Sequence, residues 1–228
     1  MSEKKQKGEK QTVAASLTKF LEKNRKLMWT VLIVVVVAFV AYAVFSVISE
    51  KSTAKTLALV DQISYELTNG SYSLEDSEIA ERRNTAKEAL APLTEKSGVG
   101  GVRANMLMAE LVYQENNFSE AVECWKKAAA KGKKSYTAPL AYFNIASCSE
   151  ELGNTEEAET YYKKAADSEG FLLKSHALFS YGRVLELNGK TSEACEVYTS
   201  LYDSMPDDTW AKLAKTRLID LKISGKIE

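Results

Sequence analysis

EAVECWKKAAA (residues 120–130), EAETYYKKAAD (157–167) and EACEVYTSLYD (193–203) are three versions of one pattern, and their phase decides the fold. Aligned on Ala121, Ala158 and Ala194, each carries an aromatic four residues on: Trp125, Tyr162 and Tyr198. Seven residues on stand Ala128, Ala165 and Leu201. Spacings of four and seven put these residues on one helical face. Twelve residues before each alanine is a small residue, Ala109, Ala146 or Gly182, preceded by a larger apolar one, Met108, Ile145 or Tyr181. Gly153 and Gly189 fall where the chain must turn between the two halves, with Asn116 at the same place in the first copy. Each copy therefore reads as a helix pair, in which small residues let the helices approach and the ring fills the gap to the next pair.

These are the positions of tetratricopeptide repeats (TPRs), and the resemblance covers residues 102–206, with Pro206 where such repeats commonly carry proline. The fold class expected is all-α, a single N-terminal transmembrane helix followed by a TPR α-solenoid. Repeat helices are predicted at 102–115, 118–131, 138–152, 155–168, 173–187 and 191–204. The observed periods of 37 and 36 residues make each link slightly longer than in the common 34-residue repeat. A final helix over 207–222, with Trp210, Leu213, Ala214, Leu218 and Leu221, is expected to cap the stack, since an uncovered repeat face would expose apolar surface. Helices at 51–67, ended by Asn69-Gly70, and at 76–93 read as a degenerate repeat in a linker region of 50–101. Gly98-Val99-Gly100-Gly101 reads as a flexible link, because no strand precedes it and no Lys-Ser/Thr follows it as a phosphate loop requires.

Leu27–Ser49, LMWTVLIVVVVAFVAYAVFSVIS, contains no charged residue, His, Asn or Gln. Its Val, Ile, Leu and Phe residues favour insertion by about 4–8 kcal/mol in sum. As a helix it reaches roughly 34 Å, enough for a hydrocarbon core of about 30 Å. Residues 1–26 carry eight Lys/Arg against three Glu, so that tail is expected in the cytoplasm and residues 50–228, at net −6, on the exported side. Residues 1–16 read as disordered, with Leu17–Lys26 a short amphipathic approach and Trp29 at the interface. Ala41-Tyr42-Ala43 resembles a signal-peptide cleavage site, but the apolar run continues through Ile48 and an uncleaved anchor is expected.

Catalytic chemistry finds little to work with. His176 is the single histidine, no Ser-His-Asp set or metal-ligand spacing occurs, and no catalytic, cofactor or metal residue is assigned. Cys124, Cys148 and Cys195 are odd in number and far apart, and are expected to be free thiols. Glu150-Glu151 and Glu156-Glu157 read as solvated charge.

Function is then expected from a surface. In TPR stacks the first helix of each pair lines a groove, which here implies Arg103, Met106, Glu110, Tyr113 and Gln114, then Leu140, Phe143, Ser147, Glu150 and Glu151, then His176, Phe179, Arg183, Glu186 and Leu187. The protein-binding set expected is Arg103, Met106, Tyr113, Leu140, Phe143, Asn144, His176, Phe179 and Arg183, suited to an extended or helical peptide. Of the residues by which some TPRs clamp chaperone C-terminal carboxylates, only Asn144 has a counterpart, with Met106, Glu110, His176 and Ser180 at the other places. Phe20-Leu21-Glu22-Lys23-Asn24-Arg25-Lys26 before a single span, then TPRs, resembles the YfgM-like ancillary subunits of the bacterial SecYEG translocon. That resemblance implies an inner-membrane, single-pass protein with a periplasmic domain. The implied partners are translocon subunits, a periplasmic chaperone or exported polypeptides, with lipid around 27–49 and no nucleic acid. The alternative is an anchored TPR scaffold for envelope assembly or cell division.

Overall fold

The computed structural model describes residues 18, 20–133 and 135–227, and among them every regular element is helical. We number the α-helices α1 (Arg25–Thr68), α2 (Asp76–Thr94), α3 (Gly98–Gln114), α4 (Phe118–Lys131), α5 (Thr137–Glu151), α6 (Thr155–Ala166), α7 (Lys174–Leu187), α8 (Thr191–Ser204) and α9 (Thr209–Ile223). The chain divides into two compact units, residues 1–52 and 53–228. In the first, residues 25–52 are exposed throughout, and one 18-residue window has a mean hydropathy of 3.1. It is the helix among the described residues that is long and apolar enough to cross a bilayer. The tail expectation for residues 1–16 lies outside the described residues; residues 20–23 are helical, with a turn at Asn24.

From α2 onward the second unit is a row of helices, each packed on the next in sequence. Pairs α3/α4, α5/α6 and α7/α8 are the three repeats, and α9 follows as a first helix without a second. Asn116 (φ 59°), Gly153 (φ 74°) and Gly189 (φ 76°) turn the chain inside the three pairs, each in the left-handed region that Gly and Asn tolerate best. The Asn117 side chain accepts from Glu120 N–H, capping α4. Glu75 and Glu78 form a capping box at the start of α2. Arg82 Nη1 donates to the carbonyls of Glu66 and Asn69 at the end of α1, and Lys131 Nζ to that of Lys96 after α2.

The core is built from the aligned positions. Ala109, Ala121, Ala146, Ala158 and Ala194 are fully buried, and Trp125, Tyr162 and Tyr198 are nearly so. At Gly182 the approach leaves no room for a side chain: a Cβ there would collide with the Tyr198 ring. Val60 and Ile63 of α1 join Leu90 and Leu93 of α2 in one cluster with α3, α4 and α5. Cys124 and Cys148 are buried and Cys195 half-buried, all three free. Burial pushes the Cys148 thiol up to about 12 and raises the other two as well, so all three stay protonated and weakly nucleophilic at neutral pH.

Two expectations are corrected. The stretches 27–49 and 51–67 lie in one helix, α1, because Glu50 between them does not interrupt helical geometry. Gly98–Gly101 is the first turn of α3, not a flexible link. Gly100 is there for close approach, since a Cβ would stand 2.7 Å from the Thr56 side chain, and one at Gly101 would strike the Lys96 carbonyl. Removing the ring that fills a repeat should be costly. Tyr198→Ala is expected to lower stability by about 3–5 kcal/mol in urea unfolding; a loss below about 1 kcal/mol would mean the ring is not wedged between helices.

Candidate functional site

Helices α3, α5, α7 and α9 present corresponding residues to one face. On α5, α7 and α9 aromatic side chains form a continuous run. The His176 ring lies 3.7 Å from Trp210, nearly parallel, and 4.7 Å from Phe143 in a tilted arrangement. Phe143 also meets Tyr162 at 5.4 Å and Phe171 at 6.4 Å, while Phe179 meets Trp210 at 5.5 Å and Tyr198 at 5.8 Å. Asp208 fixes this end of the run. Its Oδ1 accepts from Trp210 N–H and Ala211 N–H as the α9 cap, and its Oδ2 accepts from Ser175 Oγ on α7. Burial, and secondarily Arg183, hold the His176 imidazole below its ordinary range.

A second, polar pattern repeats beside the rings. Tyr162 donates to Glu150 Oε2 at 2.6 Å, and Arg183 of the following helix donates to the same oxygen at 2.7 Å. One repeat on, Tyr198 donates to Glu186 Oε1 at 2.8 Å, and Arg217 of α9 engages both Glu186 oxygens at 2.7–3.1 Å. Burial first, then the neighbouring carboxylate, raises both tyrosine hydroxyls well above their usual range. Glu186 is held low, since Arg217 and Tyr198 outweigh its burial. Each carboxylate thus ties both helices of its own repeat to the first helix of the next. Lys190 and Asn188 add a parallel strap to Glu159 at 2.6–3.0 Å.

Between α5 and α7 this face holds a pocket of about 420 Å³, walled by Phe143, Tyr162 and His176 with Ser147, Ser180, Glu150, Glu151 and Arg183. The structure therefore gathers Phe143, His176 and Arg183 of the expected set. Leu140 and Met106 are half-buried and Tyr113 is partly exposed against Phe118. Asn144 spends its amide on the Leu140 carbonyl of its own helix. Arg103 pairs with Asp61 of α1 at 2.9 Å. Phe179 lies under Trp210, so it is shared between the groove and the packing of α9. Glu150, read as solvated charge, is corrected to a shared acceptor with only 15 % of its side chain exposed. The sequence held a usable signal for this: Trp210 and Arg217 each stand 34 residues after His176 and Arg183. Among the described residues no group of three or more His, Cys, Asp and Glu is arranged to hold a metal ion.

The profile of the tetratricopeptide repeat-like domain matches residues 18–224. A TPR repeat-containing protein of Treponema pallidum (strain Nichols) is 27 % identical over 223 residues, covering 91 % of this chain and 93 % of its own. Among solved structures, the nearly identical TPR-like repeats of a Podosopora anserina kinesin light chain superpose with a TM-score of 0.56 at 12 % identity. That match covers 76 % of this chain and 89 % of the other. A single-substitution form of the same repeats matches with the same TM-score.

Glu150→Ala would leave the buried Tyr162 hydroxyl and Arg183 without their acceptor. It is expected to cost about 1–3 kcal/mol, whereas Glu196→Ala, exposed on α8, should change stability by no more than about 0.5 kcal/mol. Equal effects in urea unfolding would refute the strap. The single histidine gives a second check. Its folded pKa lies below the unfolded value of about 6.5, so the unfolded chain takes up the proton first as pH falls. The stability due to neutral His176 is complete above about pH 6.5 and declines below it. The imidazole ¹H NMR titration of the folded protein should show a midpoint below 6.5; a midpoint at or above it would contradict the burial.

Proposed function

Because the chain belongs to the tetratricopeptide repeat-like domain family, we propose that it is a membrane-anchored module that holds a partner polypeptide along the face shared by α3, α5, α7 and α9. The observation that carries this reading is the half-open pocket between α5 and α7, where aromatic rings and a few polar side chains meet on one strapped, preformed surface. Small numbers of polar groups in an otherwise aromatic cleft suit peptide capture, with main-chain groups meeting the serines and side chains meeting the rings. Nothing in the pocket combines a nucleophile with an activating base: its imidazole stacks on Trp210 and meets Phe143 at a tilt, and its serines have no hydrogen bond to it among the described residues.

The anchor is the exposed apolar stretch of α1, which the family profile takes in as part of the domain. With the basic flank before it, the proposed orientation is N-terminus in the cytoplasm and repeats exported. In a bacterial inner membrane that places the groove where newly translocated chains emerge. The layout of tail, approach and span supports a role as an ancillary component of the translocon and its periplasmic chaperone network.

A photoactivatable residue at Ser147, in the pocket, should crosslink in intact membranes to translocon subunits, a periplasmic chaperone or exported chains. The same residue at Glu196 on α8 should not. Crosslinks from Glu196 alone would overturn the groove reading. Protease added to spheroplasts should remove the repeats and leave a membrane-held fragment; a mature N-terminus near Val44 would instead mean a cleaved leader.

A further inference from the structure

We propose that the pocket between α5 and α7 receives a lysine or arginine side chain of the bound segment, so that the groove selects cationic partners over acidic or carboxylate-ended ones. This rests on the groove reading and assigns its partner chemistry.

The charges on this face are already sorted. Each of the three groove arginines is paired within the chain: Arg103 with Asp61, Arg183 with Glu150 and Arg217 with Glu186. None of these three is left to receive a partner's carboxylate. The carboxylates are in excess. Glu151 lines the pocket, is exposed, and has neither a hydrogen bond nor an ion pair to another described residue. Glu150 takes both of its hydrogen bonds on Oε2, and its Oε1 accepts none from the described residues. With Arg183 counted, the pocket carries one net negative charge, and a neutral His176 leaves that charge uncompensated.

Its shape fits the same ligand. At the corresponding register α7 and α9 carry Arg183 and Arg217, whereas the α5 residue that lines this slot is Ser147, too short to fill the space. A partner's alkyl stem would lie along Phe143, and its cation would reach Glu151 over the rings, gaining both cation–π and charge attraction. The aliphatic stems of lysine and arginine bury well against such rings while the head stays near the carboxylate.

The test uses the full-length chain in nanodiscs and a fluorescein-labelled, end-blocked peptide of alternating leucine and arginine, read by fluorescence polarisation. Versions with each arginine replaced by glutamine or glutamate serve as comparison probes. The arginine peptide should bind most tightly and the glutamate peptide least. Glu151→Lys should weaken the arginine peptide by about fivefold or more, the scale of a partly exposed ion pair lost and reversed. Glu156→Lys, the same change on an exposed residue at the start of α6, should leave affinity unaltered. Equal weakening by both variants would overturn the proposal in favour of diffuse attraction to an acidic chain. Equal binding of the glutamate peptide would overturn it too. If the arginine peptide fails to bind while the Ser147 probe still crosslinks a partner, the charge inference falls and the groove reading stands. If both fail, the groove itself is refuted.

Discussion

Tyr198 against Gly182 is the contact from which much of the repeat architecture follows. The ring packs so near α7 that no side chain fits beneath it, and this sets how closely α7 and α8 lie together. Burying a tyrosine this way also buries a hydroxyl, which must find an acceptor or cost roughly 1–3 kcal/mol. Glu186 supplies one, but a carboxylate with only 10 % of its side chain exposed needs a cation in turn. Arg217 from the next helix provides it with a two-oxygen grip. A steric fit inside one repeat therefore leads to an ionic bond between repeats. Tyr162, Glu150 and Arg183 repeat the sequence of causes one step earlier.

The first repeat departs from this scheme in a consistent way. Trp125 replaces tyrosine, so no hydroxyl is buried, and Tyr113 stands where the acceptor glutamate would be. With no carboxylate to neutralise, Ser147 replaces the arginine of the following helix, and the vacated volume contributes to the pocket beside it. At this end the stack is secured differently. Lys87 pairs with Glu115 at 2.7 Å, Arg103 with Asp61, and the Asn105 amide, fully buried, donates to the carbonyls of Thr94 and Gly101.

The aligned alanines and aromatics were legible in the sequence because sterics repeat with a fixed period, and that period fixes the pairing of helices. The turns were legible too, since Gly153, Gly189 and Asn116 occupy backbone conformations few other residues accept. The role of Glu150 was not, because an exposed and a strapped glutamate look alike until the helix carrying Arg183 is laid beside it. Gly98–Gly101 misled for a related reason. Glycine permits a turn and permits close packing, and only the presence of Thr56 across the interface decides between them. Phe143, His176 and Arg183, assigned to the groove side by repeat register, line one pocket. Trp210 was read only as part of the capping helix; its spacing from His176 also makes it the next member of the same row.

If adjoining repeats are held together through shared carboxylates, Glu186 and Arg217 must be energetically coupled rather than merely adjacent. A double-mutant cycle with Glu186→Gln and Arg217→Met, read by urea unfolding of the full chain, measures this directly. Groups in one ionic network typically couple by about 0.5–3 kcal/mol, and the account predicts a coupling energy within that range. Additive effects, with coupling below about 0.3 kcal/mol, would contradict it and leave helix packing alone to hold the solenoid together.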